Sequence, residues 1–171
     1  MATWPAGQVL AHGSLGILAA VLLLPALEAA LPAIGALMPG QTAAVMGGTL
    51  AWHGHVAVEA TLLTAFTGAV LGNLAGYAVG RRWQGRLTDR LGARSRPSRY
   101  AGLALGLVER RGASAVFVGR FTVVLRTLVP ALCGAAGIPL RSYLLWSVLS
   151  STIWASAFVL IGYVIGSAGP G

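Results

Sequence analysis

Gly119-Arg120-Phe121-Thr122-Val123-Val124-Leu125-Arg126-Thr127-Leu128-Val129-Pro130 is the stretch on which the reading of this chain turns. It lies inside an apolar run, Ala113 to Leu140, with the length and greasiness of a membrane segment, and Arg120 and Arg126 are the only charges in that run. An arginine at the bilayer centre costs roughly 2.5–3.5 kcal/mol on insertion scales, so two facing lipid would cost about 5–7 kcal/mol. The pair must instead line a polar cavity or meet anions, which makes it the first candidate for function.

The rest of the chain agrees with a membrane reading. Of 171 residues, 56% are apolar and only 9% charged, with a mean hydropathy of +0.77; a soluble domain has about a quarter of its residues charged. The expectation is one integral membrane domain over residues 1–171. The first apolar run begins near Val9 without a basic flank or a small-residue cleavage site, so it is expected to be retained rather than removed as a signal peptide. The single Cys133 excludes an internal disulfide and reads as a small packing residue.

All twelve basic residues are arginine. None precedes Arg81, and nine fall between Arg81 and Arg111. In a membrane chain such a cluster is an orientation signal and makes the loop 81–112 cytoplasmic. It could also attract anionic lipid. Nucleic acid is not an expected partner, because arginines beside membrane spans have this simpler explanation.

Segment by segment, residues 9–27 are long enough for one crossing at ~1.5 Å per residue. Residues 28–52 are apolar but interrupted by Pro32, Gly35, Pro39 and Gly40, and neither half can span; a re-entrant hairpin fits, since irregular backbone at membrane depth is tolerated against protein or a wet cavity. Residues 56–80 form a good span. Gly68, Gly72, Gly76 and Gly80 recur every four residues and make one flat strip for close helix approach, within the chain or, alternatively, in a homodimer. Within the Arg-rich loop, 101–111 is expected to lie as a short amphipathic helix on the membrane surface. Residues 113–140 break near Thr127–Pro130 and again at Gly134 and Gly137, giving a second hairpin from the cytoplasmic side; 142–166 is the last span.

The expected fold is therefore all-α: three spanning helices plus two opposed re-entrant hairpins in an inverted-repeat arrangement. Tracing from a cytoplasmic loop puts the N-terminus in the cytoplasm and the C-terminus outside. In transporters built this way, the substrate site lies where the broken segments meet.

Four acids are present: Glu28, Glu59, Asp89 and Glu109. Asp89 and Glu109 lie among loop arginines and read as solvated. Glu59 stands near His53 and His55, but a His-x-His pair without further ligands makes a weak metal site; no metal or other cofactor is expected. Glu28 opens the first interrupted segment and is the natural countercharge for Arg120 or Arg126. Six residues on a continuous helix leave two side chains ~120° apart. A break near Thr127 would let both arginines converge. Their planar forks suit phosphate, so a phosphate-bearing lipid head group is a candidate ligand, with a small anion or a carboxylate as alternatives. No Asp-rich metal motif, paired His with Ser or Asp, or Gly-x-Ser-x-Gly elbow points to an enzyme.

These residues resemble the DedA family of membrane proteins, also called SNARE-associated or VTT-domain proteins. The likeness runs from about Glu28 to Gly166. Its strongest part is Phe117-Val118-Gly119-Arg120-Phe121-Thr122-Val123-Val124-Leu125-Arg126-Thr127, followed by Gly134 and Gly137, then Trp154 and Gly162-Tyr163-Val164-Ile165-Gly166. The glycine-rich 68–81 segment is similar to the family's second span. The resemblance implies two opposed hairpins in the bacterial cytoplasmic membrane, a role in membrane homeostasis, and return of a polyprenyl phosphate such as undecaprenyl phosphate across the membrane as a flippase or carrier. A phospholipid scramblase, or a structural protein without transport activity, is the alternative. By position, Glu28, Arg120 and Arg126 match family functional residues. Where the family commonly carries acids, this chain has Gln41 and Asn73. Amides cannot cycle a proton, which leaves Glu28 as the obvious core carboxylate for any proton coupling.

Overall fold

A computed structural model describes residues 6–30, 40–82, 99–120, 122 and 125–168. Those residues are helical throughout apart from short turns: α1 (Ala6–Ala30), α2 (Gly40–Trp52), α3 (Val58–Arg82), α4 (Arg99–Arg111), a 3-10 turn (Gly112–Ser114), α5 (Ala115–Gly119), α6 (Leu125–Ala135) and α7 (Leu140–Ala168). Among the described residues, α3 and α7 are long and apolar enough to cross a bilayer. Their outer faces present Leu63, Leu145 and Val164 at 64%, 74% and 62% exposure, surface that suits hydrocarbon rather than water.

Contacts along the helices fix their directions. The Ser14 hydroxyl donates to the His55 carbonyl at 2.8 Å, Gly68 packs on the Leu22 backbone, and Glu28 and Asn73 line one cavity. The helix α1 therefore runs alongside α3 in the same direction and ends near its middle. At one end of the molecule Ser14, His55 and the Trp52–Tyr163 ring pair (5.1 Å) lie together. At the other, the Tyr77 hydroxyl donates to the Ile138 carbonyl at 2.6 Å, beside Arg81. The starts of α1 and α3 and the end of α7 thus share the histidine end.

The helix α1, Ala6–Ala30, covers the 9–27 run, and its Glu28 stands beside Gly40, the first residue of α2. One expectation is corrected: the start of α1 and the end of α7 lie at the same end of the molecule, not at opposite ends. Hydropathy measures the length of an apolar run and is silent on which neighbour it follows.

The break expected near Thr127–Pro130 is not there. Pro130 and Gly134 are inside α6, which begins at Leu125, while α5 ends at Gly119. Pro130 is the sixth residue of α6, past its first turn, and forgoes the ladder bond to the Arg126 carbonyl, yet the helix continues to Ala135. Gly137, at φ +72, closes α6, with the Ile138 N–H on the Cys133 carbonyl at 3.2 Å, a left-handed cap that glycine adopts without strain. The helix α4 forms as expected, but Ala104 and Val108 are buried in a core with Tyr77, Val129, Cys133 and Tyr143. It packs against α6 rather than lying free on a surface. Pro32 and Pro39, expected to break the first hairpin, lie outside the described residues; Gly40 is the first residue of α2.

Two helix crossings organise the molecule, and they are near copies. In α2 against α7, a Cβ on Gly48 would strike the Val159 carbonyl and one on Gly162 the Val45 carbonyl. In α6 against α3, the same holds for Gly134 on Tyr77 and Gly80 on Ala131. Only glycine permits such backbone approach. The spacings match: Val45 and Gly48 correspond to Ala131 and Gly134, and Tyr77 and Gly80 to Val159 and Gly162. Gly68, Gly72, Gly76 and Gly80 are all buried, so the strip is taken up by the chain's own helices. A second core, around Val21, Ala65, Ala69, Trp154 and Val159, lies toward the histidine end.

Candidate functional site

The cavity lined by Pro25, Glu28, Asn73, Arg120, Arg126 and Trp154 lies at mid-molecule, between the two cores. Three helix ends converge there: the end of α1 and the beginnings of α2 and α6. Helix beginnings carry unpaired N–H groups and partial positive charge, so two positive ends join two guanidiniums in one buried space.

Glu28 ties them together. It is 4% exposed, on the last turn of α1. One carboxylate oxygen accepts the Gly40 N–H at 3.0 Å and the other forms an ion pair with the Arg126 guanidinium. Gly40 stands five residues before Val45, and Arg126 five before Ala131. The matching positions of α2 and α6 therefore grip one carboxylate, one through a backbone amide and the other through a side chain.

Arg120 follows α5 and is 8% exposed. Its guanidinium carbon sits 5.2 Å from the centre of the Trp154 ring, a cation–π contact in a desolvated setting. The Nε atoms of Arg120 and Arg126 have no hydrogen-bond partner among the described residues. Both arginines thus retain donors aimed into buried space. Arg120 follows α5 and Arg126 stands on the first turn of α6, and both line the same cavity.

Asn73 is held as structure. Its side-chain amide nitrogen donates to the Ser147 hydroxyl at 2.9 Å, and the Tyr143 hydroxyl donates to its backbone carbonyl at 2.8 Å. Ser147, Ser150 and Ser151 are fully buried on α7, and Ser151 Oγ has no partner among the described residues. Gln41 is half-buried on the first turn of α2 and does not line the cavity. His53, His55, Glu59 and Glu109 are exposed; Asp89 lies outside the described residues. The described residues hold no cluster of three metal-ligating side chains.

Sequence reasoning passed over Pro25 and Trp154 as cavity residues. Trp154 carried a signal: it is a tryptophan in the middle of a span, where interfacial anchoring cannot explain it, on one face with Tyr143, Ser147, Ser150 and Ser151.

The cavity measures about 20 Å³. A water molecule needs about 10–15 Å³ by this measure, so the closed site admits a water-sized group and no phosphate head group. Its chemistry is nonetheless that of an anion site, with one anion, the Glu28 carboxylate, already built in.

An all-helical protein with outward apolar faces and a buried, cationic mid-depth cavity is the class that these features define. The VTT domain model matches residues 38–164. The chain belongs to the VTT-domain family, that of the DedA membrane proteins, and is a membrane protein. It is 34% identical over 124 residues to uncharacterized membrane protein slr0232 of Synechocystis, covering 71% of this chain and 56% of that protein. It is 30% identical over 122 residues to inner membrane protein YghB of Escherichia coli K12, covering 71% and 55%. Against inner membrane protein YqjA of the same strain it is 31% identical over 123 residues, covering 71% and 56%. The aligned part is thus little more than half the length of these relatives. No solved structure matches the chain.

Proposed function

We propose that the protein carries a lipid phosphate, a polyprenyl phosphate such as undecaprenyl phosphate being the substrate that the family resemblance favours, across the bacterial cytoplasmic membrane. One observation carries this reading: a carboxylate is gripped at mid-depth by Arg126 and a helix-start amide, with Arg120 and its unpartnered Nε beside it. Charge-assisted forks and helix beginnings are what a phosphate head group uses. Two buried cations without an anionic role would be an expensive scaffold.

In this reading α1 and α2 form one re-entrant hairpin and α4 to α6 the other, entering from opposite faces, while α3 and α7 span. The arginine end is cytoplasmic, which puts the histidine end, the start of α1 and the end of α7 outside. The substrate phosphate displaces Glu28 from Arg126. Because the closed cavity is smaller than a head group, access requires movement, and the two glycine-sealed pairs, α2 with α7 and α3 with α6, are the natural rigid units to rock against each other. Protonating Glu28 would free Arg126, so any proton coupling passes through this one carboxylate. The reading involves no covalent chemistry and no cofactor, and the monomer suffices for it.

A second reading, a phospholipid scramblase without coupling, is favoured by Asn73, whose amide is committed to Ser147 and cannot take up a proton. Purified protein in liposomes, with a head-group accessibility assay, separates them. The carrier reading predicts movement of a lipid phosphate but not of neutral head groups, abolished in Arg120→Ala. Movement of all head groups alike, indifferent to a pH gradient, would support the scramblase; equal movement of the lipid phosphate by wild type and Arg120→Ala would overturn the carrier reading.

A further inference from the structure

A second cavity, of about 440 Å³, runs between α1 and α2. Its lining on α1 ends one residue before that of the charged cavity begins. Leu24 lines one and its neighbour Pro25 the other. Across from them, Gly40 grips Glu28, and Thr42 and Ala43 begin the wall of the groove. Among the described residues, Thr42 is the one polar residue in that wall and stands at the charged end; from there to Gly13 and Leu50 the described lining is apolar. Leu24 to Gly13 spans ~16 Å of helix at ~1.5 Å per residue, about half the ~30 Å hydrocarbon core of a bilayer.

We infer that this groove seats a hydrocarbon chain of the lipid whose phosphate binds Arg120 and Arg126; the inference rests on the lipid-phosphate reading. The occupant must be charged at one end and apolar along a leaflet's depth. A lipid phosphate offers both in one molecule, whereas a helix from a second copy would leave the charged end unanswered. The groove also lacks the closure seen at the chain's own helix crossings. A Cβ added at Gly13 or Gly16 meets nothing within 4 Å, whereas at Gly48, Gly80, Gly134 and Gly162 it meets backbone. Lipid tails are as apolar as leucine, so the groove adds little affinity over bulk bilayer. Its effect is to align the chain so that the head group meets the arginines. It runs toward the histidine end, hence the external leaflet in the orientation proposed above, and a lipid loads from that side.

The test uses two photoactivatable lipid phosphates in nanodiscs, one with its diazirine beside the phosphate and one with it ~16 Å along the chain, a distance set by the helix rise. Labelled peptides are mapped by mass spectrometry. The head probe is expected on the peptide carrying Arg120 and Arg126, and the chain probe on residues between Gly13 and Leu24 or Thr42 and Leu50. Arg120→Ala should lose both labels. Gly16→Leu, which fills open space, should lose the chain label and keep the head label, and Gly13→Leu provides a second variant of the same kind. A correct head label with the chain label elsewhere overturns the groove and leaves the head-group reading standing. A groove label undiminished in Arg120→Ala, or equally strong with a neutral lipid of the same chain, means bulk lipid fills it and also overturns the inference. Absence of both labels in wild type removes the head-group reading and the groove with it.

Discussion

Gly40 and Arg126 stand at matching positions on α2 and α6, and both close on Glu28. The helix crossings around them repeat residue for residue, with Gly48 and Gly134 sealed against α7 and α3. The site therefore lies where two copies of one packing scheme meet, and the two copies differ where the chemistry needs it: a bare amide on one side, a guanidinium on the other.

That relationship sets the cost of breaking the pair. Removing Arg126 leaves Glu28 buried against a single amide, and losing one partner of a buried ion pair costs about 3–5 kcal/mol. Arg126→Ala and Glu28→Gln should therefore each lower the thermal unfolding midpoint in detergent, the first by leaving the carboxylate with a single amide, the second by leaving two buried guanidiniums without their countercharge. The double variant Glu28→Gln/Arg126→Ala should recover part of the loss, a coupling read directly from the double-mutant cycle. Additive losses would show that the pair is not coupled.

The matched crossings make a prediction of their own. Gly48→Ala and Gly134→Ala each drive a Cβ into a carbonyl oxygen of the facing helix. Overpacking of this kind costs about 1–3 kcal/mol, and the two variants should be destabilised alike in detergent melts. Gly13→Ala and Gly16→Ala face open space and should stay within about 0.5 kcal/mol of wild type. Equal effects at Gly16 and Gly134 would contradict the crossing geometry.

Much of this was legible in the sequence because it follows from local rules. Arg120 and Arg126 in a greasy run demanded a partner, Glu28 was the available acid, and the glycine strip 68–80 demanded close neighbours. What was not legible depends on partners distant in sequence. The direction of the 9–27 run relative to the other helices is set by contacts with residues distant in sequence, such as Ser14 with His55. Pro130 looked like a break because proline usually is one. It lies inside α6, which runs unbroken from Leu125 to Ala135. Trp154 looked out of place in a span because its partner, Arg120, lies on another element.

That contact is itself testable. A desolvated cation–π contact contributes about 2 kcal/mol. Trp154→Phe keeps an aromatic face under Arg120 and should retain most lipid-phosphate binding. Trp154→Leu removes it and should weaken binding by an order of magnitude or more, since 1.4 kcal/mol is about tenfold. Equal binding by the two variants would make Trp154 a packing residue only.

Asn73→Asp tests the amide at the cavity wall. The new carboxylate would lie in the same small cavity as Arg120 and Arg126 and, when ionised, would compete with the substrate anion. Lipid-phosphate transport should be suppressed at neutral pH and recover as the pH falls and that carboxylate takes up a proton. The wild type, with Asn73 bonded to Ser147, should lack this particular dependence. Undiminished transport at neutral pH would place the substrate away from Asn73.

The most direct measurement is retention of a single lipid monophosphate by the purified protein, read by native mass spectrometry. Wild type and Gln41→Ala, whose side chain lies off the cavity, should retain it, and Arg120→Ala should release it while remaining folded. Equal retention by Arg120→Ala and wild type would contradict the claim that the buried arginines receive a lipid phosphate.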